Sequence, residues 1–256
     1  GFGLNFFSDK AGASKFGTTN INICLGGVIP VTRTSKFSIG INLGGGQHKA
    51  SLDGLTWGNQ YNGQDFDTQN FPSNETNPTN SFMYADLGAG AYYEYFSGRE
   101  TMERNEQKRL GLGYGIYHLN RPTEKYFSVS NQLYMKHAFS MNGFFDVTGT
   151  HFSVLPNIAV FLQGKSREFN IGAAVRYRIR NGTKVTGFYT ESGITLGVNY
   201  RFNDSFCPTI SYQIGSLSIG FAYDYCTSSY SAANKHFGAV EAFLKFNVLR
   251  GAVWGG

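Results

Sequence analysis

Leu217-Ser218-Ile219-Gly220-Phe221-Ala222-Tyr223-Asp224-Tyr225 alternates large apolar or aromatic side chains with small or polar ones. On a β-strand successive side chains point to opposite faces, so this segment is expected to have one wide greasy face and one narrow polar face. A half-buried strand of a soluble sheet would look the same. Here the pattern recurs along nearly the whole chain, and its large residues end in Tyr and Phe. That recurrence marks an all-β fold, a transmembrane antiparallel β-barrel with small and polar residues inside and aromatic girdles at the interfaces.

The neighbouring segments extend the pattern. Ile210, Tyr212 and Ile214 oppose Thr209, Ser211 and Gln213, and Gly215 turns the chain into the quoted stretch. Ile194–Phe202 and Phe169–Ile179 alternate in the same way, with Asn181-Gly182 turning one into the other. Further strands are predicted at Phe2–Ser8, Asn20–Ile29, Phe37–Leu43, Met83–Tyr95, Leu110–His118, Phe127–Phe139, Phe145–Leu162 and Val240–Val248. Asp9-Lys10-Ala11-Gly12 reads as a turn, Pro30 as a strand stop, Pro156 as an interruption, and Asn142-Gly143 as a hairpin. The total is about twelve strands. Ser51–Asn80 is rich in Asn, Gln, Asp, Pro and Gly, and its length fits the long extracellular loops of outer-membrane barrels.

Composition supports this class. Only 15% of the 256 residues are charged, 41% are hydrophobic and 16% are aromatic, with 33 Gly. No run reaches the roughly 18 consecutive apolar residues of a membrane helix, whereas a barrel needs only about 9–11 alternating residues per crossing. The net charge of +5 is scattered, and Arg99–Arg109 interleaves Glu100, Glu103 and Glu106, which describes a solvated turn and no nucleic-acid patch.

The charges decide which face is outside. Asp86, Glu94, Arg176, Arg178, Arg201, Asp224, Glu241 and Lys245 all fall on the small-residue face, where both signs form a lumen charge network. No strand carries Lys or Arg in the middle of its apolar face, where it would cost about 2–4 kcal/mol at a bilayer midplane.

Motifs of enzymes and cofactors are not supported. Gly111-Leu112-Gly113-Tyr114-Gly115 lacks phosphate-loop spacing, and its glycines fit a barrel wall close to other groups. His48, His118, His137, His151 and His236 show no paired metal spacing, and no nucleophile elbow occurs. Cys24, Cys207 and Cys226 form no metal motif. A Cys207–Cys226 disulfide is one possibility for an oxidising compartment, although a tight hairpin is expected to leave the two about four residues out of register.

In combination these segments resemble one family. Gly111–Pro122, GLGYGIYHLNRP, is similar to the G-x-G-x-x-x-x-H-x-N-x-P signature of the PorP/SprF outer-membrane proteins of type IX secretion. Phe2–Gly12, with its Asp-Lys-x-G end, resembles that family's early segment. Leu155–Gln163, Leu196–Arg201, the Tyr223-Asp224-Tyr225 element with Ser228, and Gly238–Glu241 follow in order. The signal peptide and first NPAxAG-type segment of the family are absent, and Gly251–Gly256 replaces its usual C-terminal end. The expectation is a single outer-membrane barrel domain over 1–256 whose N-terminal part is missing, with about fourteen strands in the full protein.

The resemblance implies a non-enzymatic bacterial outer-membrane component of type IX secretion and gliding, without cofactor. Its implied partners are outer-membrane lipid, other type IX components and a large secreted surface protein, such as an adhesin, with a conserved C-terminal domain. The loops Ser51–Asn80, Leu119–Lys125 and Thr227–Phe237, at one end by strand alternation, are the expected binding surface. Trp57, Asp65, Phe71, His118, Asn120, Arg121 and Tyr230 are its candidate contacts. The alternative is a passive channel for small solutes through a lumen lined by Gly, Ser and Asn.

Overall fold

The structure is a computed structural model and describes residues 1–12, 16–50, 55–72, 80–97, 107–126, 129–180, 191–229, 231 and 238–247. Among the described residues the fold is all-β. The strands are β1 (Phe2–Ala11), β2 (Phe16–Thr32), β3 (Ser35–Ala50), β4 (Asn80–Ser97), β5 (Lys108–Tyr117), β6 (Thr123–Tyr126), β7 (Val129–Gln132), β8 (Lys136–Asp146), β9 (Phe152–Gln163), β10 (Ser166–Arg180), β11 (Ser192–Arg201), β12 (Ser205–Ile214), β13 (Leu217–Tyr223), β14 (Tyr225–Cys226) and β15 (Val240–Phe246). Twelve of them form one meander in chain order, β1-β2-β3-β4-β5-β8-β9-β10-β11-β12-β13-β15, with β14 added to β12. β6 and β7 pair separately. Among the described residues no helix is long and apolar enough to cross a membrane, which says nothing about crossing by strands.

Contacts divide the chain into two units, Gly1–Val28, Ile39–Gly90 and Gly115–Lys136 in the first, and Ile29–Ser38, Ala91–Tyr114 and His137–Gly256 in the second. The second shows the alternation most fully. In β10, Phe169, Ile171, Val175, Tyr177 and Ile179 are exposed, while Asn170, Gly172, Arg176 and Arg178 between them are covered. β12 repeats this, with Phe206, Ile210, Tyr212 and Ile214 exposed opposite Ser205, Cys207, Thr209 and Ser211. Antiparallel register aligns the faces across strands. Val154, Val175, Leu196, Ile210 and Phe221 make one cross-strand row, and Ala174, Gly197, Thr209, Ala222 and Glu241 make another.

Burial is inverted relative to a water-soluble domain. Among the described residues no large hydrophobic side chain is buried, and the buried polar or charged ones are Ser35, Gln60, Asp86, Ser153, Arg178, Ser192 and Ser205. Leu196 is 57% exposed, Ile210 50% and Phe221 55%, at the middle of their strands. A soluble sheet of this size would bury such residues against a second layer.

Several boundaries differ from the sequence reading. β1 runs through Asp9-Lys10-Ala11 because these residues pair with Thr18, Gly17 and Phe16, and only Gly12, at φ +72°, turns. β2 continues through Pro30. A proline inside a strand removes one ladder bond, and β2 runs on to Thr32 past it. Pro156 sits inside β9 opposite Ala173, and the strand survives the loss of one ladder bond. Asn142-Gly143 lies within β8. The reversal falls instead at Val147–Thr150, closed by Thr150 N–H to Val147 O at 3.1 Å with Gly149 at φ +76°. Phe127–Phe139 is not one strand: β7 folds back on β6, and β8 begins at Lys136. The opening stretch breaks at Asp224, whose N–H donates to Ala239 O at 2.8 Å. β14 resumes with Cys226 opposite Ser205, which leaves Cys226 two residues out of register with Cys207, where about four were expected. Among the described residues neither of these cysteines nor Cys24 forms a disulfide. Asn181-Gly182 and Arg99–Glu106 lie outside the described residues.

Candidate functional site

Within the first unit, the connections β3–β4 and β5–β8 leave the same end of their strands. The first carries a small folded substructure. Gly58–Gln60 is a single 3-10 turn preceded by Trp57, whose N–H donates to Gln60 Oε1 at 2.9 Å. Tyr61 bridges Phe66, and the two rings stand 5.3 Å apart. Asn62 Oδ1 accepts from the N–H groups of Gln64 and Asp65, both at 2.9 Å, and Gly63 takes φ +98° at the tip.

Asp67 closes the next turn. It accepts from Asn70 Nδ2 at 2.7 Å, Asn70 N–H at 3.0 Å and Gln69 N–H at 3.2 Å. The Asn70 side-chain amide, then its backbone amide, holds the Asp67 carboxyl below its ordinary value. A lowered folded pKa stabilises the turn fully above the unfolded value near 3.9, and the effect is lost as pH falls through the lowered value. Asp67→Ala is therefore expected to loosen residues 60–71 at pH 7, read as faster limited proteolysis. Asp67→Asn should fall between the two.

The β5–β8 connection starts with the His-Leu-Asn-Arg-Pro run and is latched onto β4. His118, at φ +59°, presents both its backbone N–H (3.1 Å) and Nδ1 (2.9 Å) to Asp86 Oδ1. A carboxylate only accepts, so Nδ1 carries the proton. Asn120 replaces a strand neighbour: its Nδ2 donates to Ala85 O at 2.7 Å and its Oδ1 accepts from Leu87 N–H at 3.3 Å. His118 and Asn120 thus direct these polar groups into the chain. The Arg121 side chain is exposed, and Arg121 N–H closes the turn on His118 O at 3.0 Å. Trp57 is half-buried, Asp65 and Phe71 are exposed, and Tyr230 lies outside the described residues.

The second unit holds two knots of charge at opposite ends of β10 and β11. At one end Asp146 accepts from Ser153 Oγ (2.6 Å), Gln107 N–H (3.0 Å) and Arg178 Nη2 (3.4 Å). Arg176 Nη2 lies 2.7 Å from Glu191 Oε1, and Arg178 Nε lies 3.5 Å from the same oxygen. At the other end Arg201 reaches Asp204 (2.7 Å), Glu168 (3.6 Å) and Asp224 (3.9 Å). Glu94 is half-buried, Glu241 and Lys245 are exposed on β15, and none of the three forms an ion pair among the described residues. The sequence reading missed Asp146, Glu191, Glu168 and Asp204. Each lies at a strand end or turn, where alternation gives no face assignment.

The glycines of β5 make room for a ring on this face. A Cβ on Gly111 would collide with the Tyr92 phenol, and one on Gly113 with Ser140 Oγ and then Tyr92 Cδ2 at 3.2 Å. The Tyr92 hydroxyl donates to Asn142 Oδ1 at 3.0 Å. Gly111→Val is expected to destabilise by about 1–3 kcal/mol through overpacking, measured by denaturant unfolding in micelles. Tyr92→Ala should restore part of that loss in the double variant.

A glycine-lined wall, the inward latch on Asp86 and an exposed apolar face run through a chain whose residues 1–246 match the family model described as type IX secretion system membrane protein PorP/SprF. The chain belongs to the PorP/SprF family. Among curated proteins no sequence matches it. The PorP/SprF match spans every strand from β1 to β15, including the latched HxNxP run and the Asp224 break. As a PorP/SprF protein, the chain is a membrane component of type IX secretion.

Proposed function

We propose that this protein is a non-enzymatic scaffold in the bacterial outer membrane, closed as a β-barrel, that anchors or helps export a large surface or adhesin protein with a conserved C-terminal domain. Inverted burial carries the proposal: exposed Leu196, Ile210 and Phe221 at mid-strand need a hydrocarbon solvent, and a sheet edge in that solvent needs a partner. Family membership supplies the secretion role. The folded loop within 51–80, the exposed Arg121 and the 227–237 connection are the proposed contact points. Pull-down of the intact complex from outer membranes, followed by deletion of residues 51–80, tests this. The expected result is a co-purifying surface protein that is lost on deletion. A partner retained by the deletion variant removes the loop from the binding surface. Conductance in planar bilayers above that of an empty membrane would favour a solute channel through the Gly-, Ser- and Asn-lined face.

A further inference from the structure

The loop between β3 and β4 is unlike the rest of the chain in charge. Residues 51–80 contain Asp53, Asp65, Asp67 and Glu75 with no Lys, Arg or His, a net charge of −4. The whole chain carries +5, so the remainder carries +9. Within the described part, Asp65 and Asp67 flank Phe66. Tyr61, Phe66 and Phe71 are 51%, 46% and 45% exposed on this loop.

These rings are held in place. Tyr61 Oη donates to Gly63 O at 3.1 Å, Asn62 N–H to Asp65 O at 3.0 Å and Asp67 N–H to Gln60 O at 2.9 Å. Asp65 Oδ1 accepts Phe66 N–H at 2.7 Å, and its other oxygen has no hydrogen bond among the described residues. Exposed aromatic side chains on a preordered loop lose little conformational entropy on binding and are the residue types that dominate protein interfaces. Flanking carboxylates select among possible occupants. They repel anionic lipid headgroups, so the rings do not serve as a membrane anchor. A neutral glycan gains nothing from a net −4.

We infer that the Tyr61–Phe71 loop is a docking surface for a cationic protein segment, one that seats an apolar residue against Tyr61 and Phe66 and a Lys or Arg on the free Asp65 oxygen. This rests on the scaffold reading and names the chemistry of its partner. The steering of that partner by exposed charge should respond to salt.

The test uses the full chain in its own outer membrane, with photoreactive benzoyl-phenylalanine in place of Phe66 and mass-spectrometric mapping of the adduct. The expected adduct is a protein segment containing Lys or Arg. Its yield should fall several-fold with Asp65→Lys, and less with Asp65→Asn, which preserves the bond to Phe66 N–H. It should also fall several-fold when salt rises from about 0.1 M to about 1 M, shortening the screening length from about 10 Å to about 3 Å. An adduct to lipopolysaccharide or glycan, no adduct, or a protein adduct indifferent to both charge and salt overturns the inference. Co-purification of the surface protein with the unlabelled chain is scored in parallel. Its presence alongside any of those outcomes removes only the docking surface, whereas its absence removes the scaffold reading itself.

Discussion

Leu196→Arg is expected to keep the chain from inserting stably, at a cost of about 2–4 kcal/mol if the site lies near a bilayer midplane. Leu196 is central in β11, opposite Val175 on one side and Ile210 on the other, and all three are exposed. Among the described residues, the cross-strand partners of Leu196 on that face are Val175 and Ile210, and neither offers a carboxylate to the guanidinium. Thr195→Arg provides the contrast. Thr195 is opposite Arg176 and Ser211, on the face that already carries charge. Refolding into lipid vesicles over a denaturant series measures both variants, with the shift of mobility on heating in gels as a second readout. Equal tolerance of Leu196→Arg and Thr195→Arg would contradict a hydrocarbon environment for the row Val175, Leu196, Ile210 and Phe221. A gradient in cost from Leu196 toward Tyr200, near the strand end, would locate the interface.

The contrast works because the face of each residue was legible in the sequence for particular physical reasons. Strand period is two, so a run such as Phe169–Ile179 fixes every side chain's face once one is known. Large apolar residues then tell outside from inside, since hydrocarbon selects them and the opposite face cannot hold them all. What stayed hidden was non-periodic. Pro30 reads as a strand stop and Pro156 as an interruption because a proline removes an N–H, yet an antiparallel residue bonds to only one neighbour, so a single loss is survivable. Asn142-Gly143 has hairpin chemistry, but the Tyr92 phenol takes the Asn142 side chain and the strand runs on to Asp146. The latch of His118 on Asp86 joins residues 32 apart, which no local pattern signals. Loop composition points to Trp57, Asp65 and Phe71 as candidate contacts, and composition carries no information on the hydrogen bonds that shape residues 57–71.

Asp146→Ala is expected to be among the most destabilising single changes outside the apolar face, by about 3–5 kcal/mol, because it leaves a buried guanidinium without its anion. The side chains of Arg178 and Asp146 are 9% and 3% exposed. Three donors converge on that carboxylate, so its removal orphans Ser153 Oγ and Gln107 N–H as well as Arg178. Glu191 cannot fully replace it, since its Oε1 already takes Arg176 Nη2 at 2.7 Å and stands 3.5 Å from Arg178 Nε. The half-exposed Arg201 knot is the internal comparison. Arg201, Glu168 and Asp204 side chains are 39%, 45% and 47% exposed, so losing Asp204 should cost no more than about 1 kcal/mol. A double variant separates charge from packing. Asp146→Ala with Arg178→Met removes the unpaired cation and should recover much of the loss, whereas an effect due only to the lost hydroxyl and amide contacts would leave the double variant as weak as Asp146→Ala alone. Urea unfolding of the refolded protein in micelles reads all three variants, and the size of the recovery decides whether this end of β10 is held by an ion pair or by the network of Ser153 and Gln107 around it.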